Sequence, residues 1–178
     1  MVMDITVKTT ENIFLTGPMG VGKTTIGKML ADRTGRIFID SDTVIIEKTG
    51  AGIDLIFEIE GEEGFRKRES KVMEELTRLH GIVLATGGGA VLDDKNRKYL
   101  AERGYVIYLK ASAEQLLRRT ARDNRRPLLQ TTDRLGTIRE ILARRESIYE
   151  DLADWTINTD KQAAKQIVNR ICRKIDSL

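Results

Sequence analysis

Apolar positions along this chain follow two rhythms. Short, nearly continuous apolar runs occur at "NIFLT" (12–16), "IFID" (37–40), "GIVLAT" (81–86) and "YVIYL" (105–109), and a fifth, more alternating run at "DWTIN" (154–158). Continuous runs of this length predict strands buried on both faces of a parallel sheet. Between them the spacing turns helical. Val72, Leu76 and Leu79 fall at i, i+4 and i+7, and Ala164, Val168, Ile171 and Ile175 repeat the pattern near the C-terminus. Strands alternating with helices predict an α/β fold: a doubly wound parallel sheet with helices on both faces. Ligands of such sheets bind beyond the carboxyl ends of the strands, so candidate chemistry is sought there.

Composition narrows the classes. A chain of 178 residues suits one domain with a full core, and 40% hydrophobic with 32% charged residues is ordinary for a soluble globular protein. Thirty basic side chains against 27 acidic ones leave a net charge of +3 with both signs interleaved, so neither a nucleic acid nor a membrane partner is expected. The single cysteine, Cys172, cannot form an internal disulfide, and no apolar run reaches the length of a membrane span; a cytoplasmic setting is the expectation. Residues 1–10, "MVMDITVKTT", have no signal-peptide core and read as a flexible extension. The stretch 122–134, "RDNRRPLLQTTDR", reads as a mobile loop. Arginines crowd between Arg118 and Arg145, which fits either a small anionic ligand or a solvated helix face.

The first strand runs into "GPMGVGKTT", which matches G-x-x-x-x-G-K-[ST] with Gly17, Gly22, Lys23 and Thr24 at a strand-to-helix turn. Glycines turn backbone N–H groups toward phosphate oxygens, and the helix N-terminus adds partial positive charge. In that motif Lys23 reaches the β and γ phosphates and Thr24 offers its hydroxyl to Mg²⁺, so ATP or GTP is the expected ligand. The second strand ends in "DSD". Asp40 and Asp42, read as one pleat period apart, could serve Mg²⁺ through water and a substrate hydroxyl; equally they could cap the next helix and a turn. The third strand runs into Gly87-Gly88-Gly89, without the acid that usually closes a Walker B strand, which favours Asp40 for the metal. The triplet suits a substrate ring approaching the backbone or a plain turn. Arg66 lies three residues before Glu69, so a helix would put the pair on one face, as an anion clamp or an exposed ion pair. Arg125 and Arg126 fall in the loop, where one could neutralise the γ-phosphate as a lid residue, and Arg144 and Arg145 fall on a later helix. These residues describe a small-molecule kinase with an anionic, hydroxyl-bearing acceptor. Gluconate and nucleoside monophosphate kinases share such features, as does a nucleotide-binding switch, although the chain has no N-K-x-D guanine motif.

The ordered set "GPMGVGKTT", "DSD", "EGEEGFRKRE", "LATGGGAV", "RRPLL" and "RRESIY" resembles the shikimate kinase family, in the bacterial form close to the enterobacterial one, from about Asn12 almost to the C-terminus. That resemblance implies a P-loop, three-layer αβα fold like that of nucleoside monophosphate kinases: a five-stranded parallel sheet, a substrate-binding helical region at about 42–80 and a lid at about 122–134, in a single kinase domain. It implies transfer of the ATP γ-phosphoryl group to the 3-hydroxyl of shikimate, on the route to chorismate and aromatic amino acids. Lys23, Asp42 and Arg126 would be catalytic. Gly20, Val21, Gly22, Lys23, Thr24, Thr25, Arg119, Arg126 and Gln162 would hold ATP; Asp42, Arg66, Gly87, Gly88, Gly89 and Arg145 would hold shikimate. Thr24 and, through water, Asp40 would bind Mg²⁺, and a monomer is expected. Thr24 departs from the more usual serine. His80 reads as a helix-end residue, Cys172 as core and Trp155 as packed near the last strand.

Overall fold

β1 (Ile13–Thr16) is buried at all four positions because neighbours cover both of its faces. Its side chains alternate between two cores. Ile13 and Leu15 join a cluster with Leu30, Ile107, Leu109, Ile157 and Ile171, whereas Phe14 points the other way, to Met73, Leu84, Val106 and Tyr149. The structure is a computed structural model that describes residues 11–123 and 126–178. Among these, β1, β2 (Ile37–Asp40), β3 (Ile82–Ala85), β4 (Tyr105–Lys110) and β5 (Trp155–Asn158) form one wholly parallel sheet in the order β2-β3-β1-β4-β5. Each predicted strand is present. β2 is less buried than its apolar run implies, because it lies at the edge of the sheet, with Ile37 66% exposed.

Helices cover both faces. α1 (Lys23–Thr34) and α7 (Ala164–Ile175) pack on each other and on the first core, while α3 (Ile53–Leu76) and α4 (Asp94–Arg103) cover the second. α2 (Ser41–Thr49), α5 (Ala113–Thr120) and α6 (Arg134–Leu152) complete the chain. α3 ends at Leu76, where Thr77 Oγ1 donates back to Met73 O at 2.8 Å. Leu79 therefore lies outside the helix and is exposed, contrary to its helical spacing. His80 likewise does not meet the helix-end carbonyls: it is exposed beside Glu11, 3.3 Å away. Asn12 closes the lower end of the sheet, its amide donating to Leu79 O and Arg103 O and its carbonyl oxygen accepting from Ile82 N. Cys172 packs against the first core, and Trp155 sits on β5 with the Arg170 guanidinium 5.9 Å from its ring centre. No helix among the described residues is long and apolar enough to cross a membrane. Because every strand runs the same way, the ends of β1, β2, β3 and β4 present the P-loop, Asp40, the glycine triplet and the turn into α5 along one edge.

Candidate active site

At that edge lies a cleft of about 730 Å³, lined by Asp42, Arg66, Glu69, Gly87 to Gly89, Arg119, Arg126 and Arg145, with Met19, Ile53, Phe57 and Phe65 as its apolar part. The P-loop reaches it at Met19. Gly17, Gly20 and Gly22 all take positive φ, which folds the loop tightly enough for Lys23 Nζ to donate to Gly17 O (2.7 Å) and Pro18 O (2.9 Å). Burial lowers the Lys23 pKa to about 8, and repulsion from Arg126 adds to the shift against the pull of Asp42 and Asp40. Gly20 packs against the end of α5, where an added Cβ would lie 2.5 Å from Thr120 Cγ2. Val21 is buried, and Thr25 is exposed on the first turn of α1.

The two readings of "DSD" turn out to be compatible. Asp40 caps α2, its Oδ1 accepting from Asp42 N (3.0 Å) and Thr43 N (3.3 Å), while its Oδ2 accepts from Thr24 Oγ1 at 2.8 Å. Asp42 is not one pleat further on, because β2 stops at Asp40; the first turn of α2 aims it into the cleft instead. Burial raises its pKa, and Asp40 raises it further, against Lys23, Arg126 and Arg66. Among the described residues, no group of three or more His, Cys, Asp or Glu is arranged to hold a metal. Thr24 and Asp40 do supply two hard oxygens beside the phosphate cradle, which is the donor set Mg²⁺ uses when substrate phosphates complete its shell.

Each glycine of the triplet admits a different neighbour. A Cβ on Gly87 would lie 2.6 Å from Glu69 Oε1 and 2.9 Å from Asp42 Oδ1; on Gly88, 3.3 Å from Met19 N of the P-loop; on Gly89, 2.2 Å from Arg66 Nη2. The Gly87 N–H donates to Ser41 Oγ at 2.9 Å, so it is not an open donor, whereas the Gly88 and Gly89 N–H groups have no partner among the described residues. Arg66 Nη1 donates to Glu69 Oε2 at 2.7 Å and Nη2 to Glu62 Oε1 at 3.2 Å. This is not an ordinary surface pair. Glu69 is 1% exposed, against 84% for Glu63 in the neighbouring Lys67 pair, and an exposed pair of that kind contributes about 0–1 kcal/mol. Burial pushes the Glu69 pKa up to about 6 despite Arg66, and its Oε1 has no hydrogen-bond partner among the described residues. Arg145 of α6 is buried at 6% exposure, while Arg144 is exposed.

On the nucleotide side Arg119 of α5 ties two loops together, donating to Val21 O (2.9 Å), Thr159 Oγ1 (3.3 Å) and Thr159 O (3.4 Å). Arg126 Nε donates to Asp123 Oδ2 at 2.8 Å, while its charge is felt at both Lys23 and Asp42. Its neighbour Arg125, the other lid candidate, lies outside the described residues, as does the predicted extension 1–10. Gln162 does not line this cleft, and neither do Lys23 and Thr24; its amide donates to Asn158 O at 2.6 Å and its carbonyl oxygen accepts from Arg170, which fixes it in the loop after Thr159. Sequence reasoning also missed Asp123 and Tyr149, whose hydroxyl donates to Gly88 O. Tyr149 stands one turn after Arg145 in "RRESIY", and that spacing was the available signal.

Comparison with known proteins bears on this geometry. A family model described as shikimate kinase matches residues 19–176. The chain is 54% identical over 169 residues to a shikimate kinase of Haemophilus influenzae, covering 94% of each, and 52% identical over 166 residues to one of Vibrio parahaemolyticus, covering 93% of this chain and 96% of that one. Its structure is similar to that of a shikimate kinase from Acinetobacter baumannii in complex with shikimate, with a TM-score of 0.93, 48% identity, and coverage of 96% of this chain and 95% of the other.

Proposed function

This chain belongs to the shikimate kinase family, and from that premise we propose how its residues divide the reaction. The enzyme transfers the γ-phosphoryl group of ATP to the 3-hydroxyl of shikimate, giving shikimate 3-phosphate and ADP. The observation that carries the reading is the meeting, in one cleft, of a P-loop with Asp42 and two inward-facing arginines, Arg66 and Arg145. Arg66 and Arg145 grip the shikimate carboxylate, for which planar guanidinium groups are geometrically suited. The Gly87–Gly89 backbone lies along the ring. Asp42 accepts a hydrogen bond from the reacting hydroxyl and takes its proton as the oxygen bonds to the γ-phosphorus; its raised pKa suits that acceptor role. The bond from the γ-phosphorus to the β,γ-bridging oxygen breaks, and the electron pair leaves with ADP.

Such a transition state is loose, so alignment and charge neutralisation outweigh base strength. Gly20 to Thr25 hold the phosphates. Lys23 and Arg126 neutralise the charge on the moving group, and Arg119 with the loop at Thr159 borders the adenine. The family uses ATP with a divalent metal; Mg²⁺, held by Thr24 and through water by Asp40, supplies charge neutralisation and orientation of the phosphates. The domain is single and works as a monomer, with 42–80 receiving shikimate and 122–134 closing as the lid.

The test is ADP release from MgATP with shikimate, gluconate or AMP as sole acceptor. Only shikimate is expected to support turnover; release with AMP alone would overturn the substrate. Arg66→Ala and Arg145→Ala are expected to raise the shikimate KM at least tenfold while changing the ATP KM less than threefold, because each removes a charge-assisted contact of about 1.5–3 kcal/mol. Equal losses for both ligands would count against the clamp.

A further inference from the structure

Tyr149 is fully buried on α6, with its ring stacked on Tyr108 at 4.9 Å between centroids and 22° between planes. A buried phenol loses its hydration, so a hydrogen bond made by its hydroxyl offsets part of that cost. It donates to Gly88 O, the middle carbonyl of the triplet. Arg145, one turn earlier, lies beside the Tyr149 hydroxyl, and its charge partly offsets the burial that holds the phenol at about 12, so the hydroxyl remains a protonated donor throughout the working range. Gly88 in turn rests on the P-loop, since a Cβ there would come within 3.3 Å of Met19 N and 3.5 Å of Gly17 O. One hydroxyl thus stands between the proposed carboxylate grip, the proposed ring-lining backbone and the phosphate loop.

The stacked partner gives an internal comparison. Tyr108 is equally buried, but its hydroxyl has no hydrogen-bond partner among the described residues. Packing alone therefore does not distinguish the two rings; what differs is the contact made by the oxygen of Tyr149.

We propose that Tyr149 is a positioning residue for the acceptor half of the reaction: its hydroxyl holds the Arg145 guanidinium and the Gly88 carbonyl in the arrangement that receives shikimate. The proposal rests on the reading of Arg145 as part of the carboxylate clamp. Phe at this position keeps the ring, the stack and the core volume and removes only the hydrogen-bonding oxygen. Tyr149→Phe is expected to weaken shikimate about 5–15-fold, by calorimetric Kd and by KM, which is the loss expected for one hydrogen bond. ADP affinity should stay within about twofold and kcat within about threefold, and Tyr108→Phe should leave shikimate affinity within about twofold.

Shikimate affinity unchanged in Tyr149→Phe would overturn the proposal. So would parallel loss of shikimate and ADP binding, or an equal loss in Tyr108→Phe, either of which would mean a general loosening of the stacked pair. Arg145→Lys separates the two levels. If it weakens shikimate while Tyr149→Phe does not, the positioning role fails and the clamp stands; if neither does, the clamp fails with it. Should Tyr149→Phe unfold, Tyr149 is structural and the proposal falls.

Discussion

Glu69 turns one oxygen to Arg66 Nη1 and leaves the other, unpartnered, over Gly87 and close to Asp42. Burial is the main cause that holds its pKa near 6, and the neighbouring Asp42 charge adds to the rise against Arg66. As pH falls through about 6 Glu69 takes up a proton and Arg66 loses its charged partner. The kcat/KM for shikimate should therefore show an acid limb near 6, and Glu69→Gln should abolish it by removing the group that titrates there. Stability runs the opposite way. A carboxyl whose folded pKa is raised contributes stability that is fully present below its ordinary 4.5 and lost as pH rises through about 6, so the Tm drop between pH 5 and pH 7 should be smaller in Glu69→Gln than in the parent. An equal drop would mean that Glu69 titrates normally. Gly89 sharpens the same point. Its φ of −97° suits any residue, but a Cβ would strike the Arg66 guanidinium, so in Gly89→Ala the arginine gives way rather than the backbone. The expected result is a shikimate KM raised about 10–100-fold, the worth of one charge-assisted contact, with little change in Tm.

α3 is one helix only nominally. Gly61 interrupts it with φ 70° and ψ −179°, a conformation that L side chains rarely adopt, and Arg68 clasps Glu60 across the break through Nε at 2.8 Å and Nη2 at 2.6 Å. The first part carries Ile53 and Phe57 over the cleft, and the second carries Arg66 and Glu69. A Cβ at Gly61 meets nothing within 4 Å, so the whole cost of Gly61→Ala is backbone strain, about 1–3 kcal/mol. At this chain length that predicts a Tm lower by about 2–10 °C. An unchanged Tm would show that the kink relaxes into a straight helix. The kink was invisible in the sequence because "EIEGEEGFRKRE" is good helix-forming sequence apart from its glycines. Elements were otherwise legible where local pattern and tertiary setting agree, as in β1, β3 and β4. They were misjudged where the setting decides: β2 is apolar yet lies at an edge, Leu79 keeps helical spacing beyond a helix that has ended, and Asp42 owes its direction to a helix turn rather than to a pleat. The glycine triplet was legible as a close approach, but its three neighbours come from α2, α3 and the P-loop, and no local window could name them.

At the scale of the whole molecule, the sheet brings together cations that are far apart in the chain. Lys23, Arg66, Arg126 and Arg145 arrive from α1, α3, the segment between α5 and α6, and α6, facing only a few carboxylates. Concentrated positive charge is unfavourable in the free enzyme and favourable once ATP brings its phosphates, and Lys23 records the difference. With its pKa near 8 in the free enzyme, it is about half deprotonated at pH 8 and about one-tenth deprotonated at pH 7. Phosphate beside the ammonium favours the charged form, so MgATP binding should be accompanied by uptake of about half a proton at pH 8 and about a tenth of a proton at pH 7. Calorimetry in buffers of different ionisation enthalpy measures that number directly. Arg126 supplies part of the repulsion, second to burial, so Arg126→Ala should raise the free Lys23 pKa and reduce the uptake at pH 8. If Arg126 neutralises the moving phosphoryl group as proposed, the same substitution should lower kcat by about 10²–10⁴-fold while leaving Tm within a few degrees, since the residue is partly exposed. Uptake that is absent at pH 8, or larger at pH 7 than at pH 8, would sink the idea that the P-loop lysine is held partly neutral until the nucleotide arrives. Near-normal turnover in Arg126→Ala would move the lid role to another arginine.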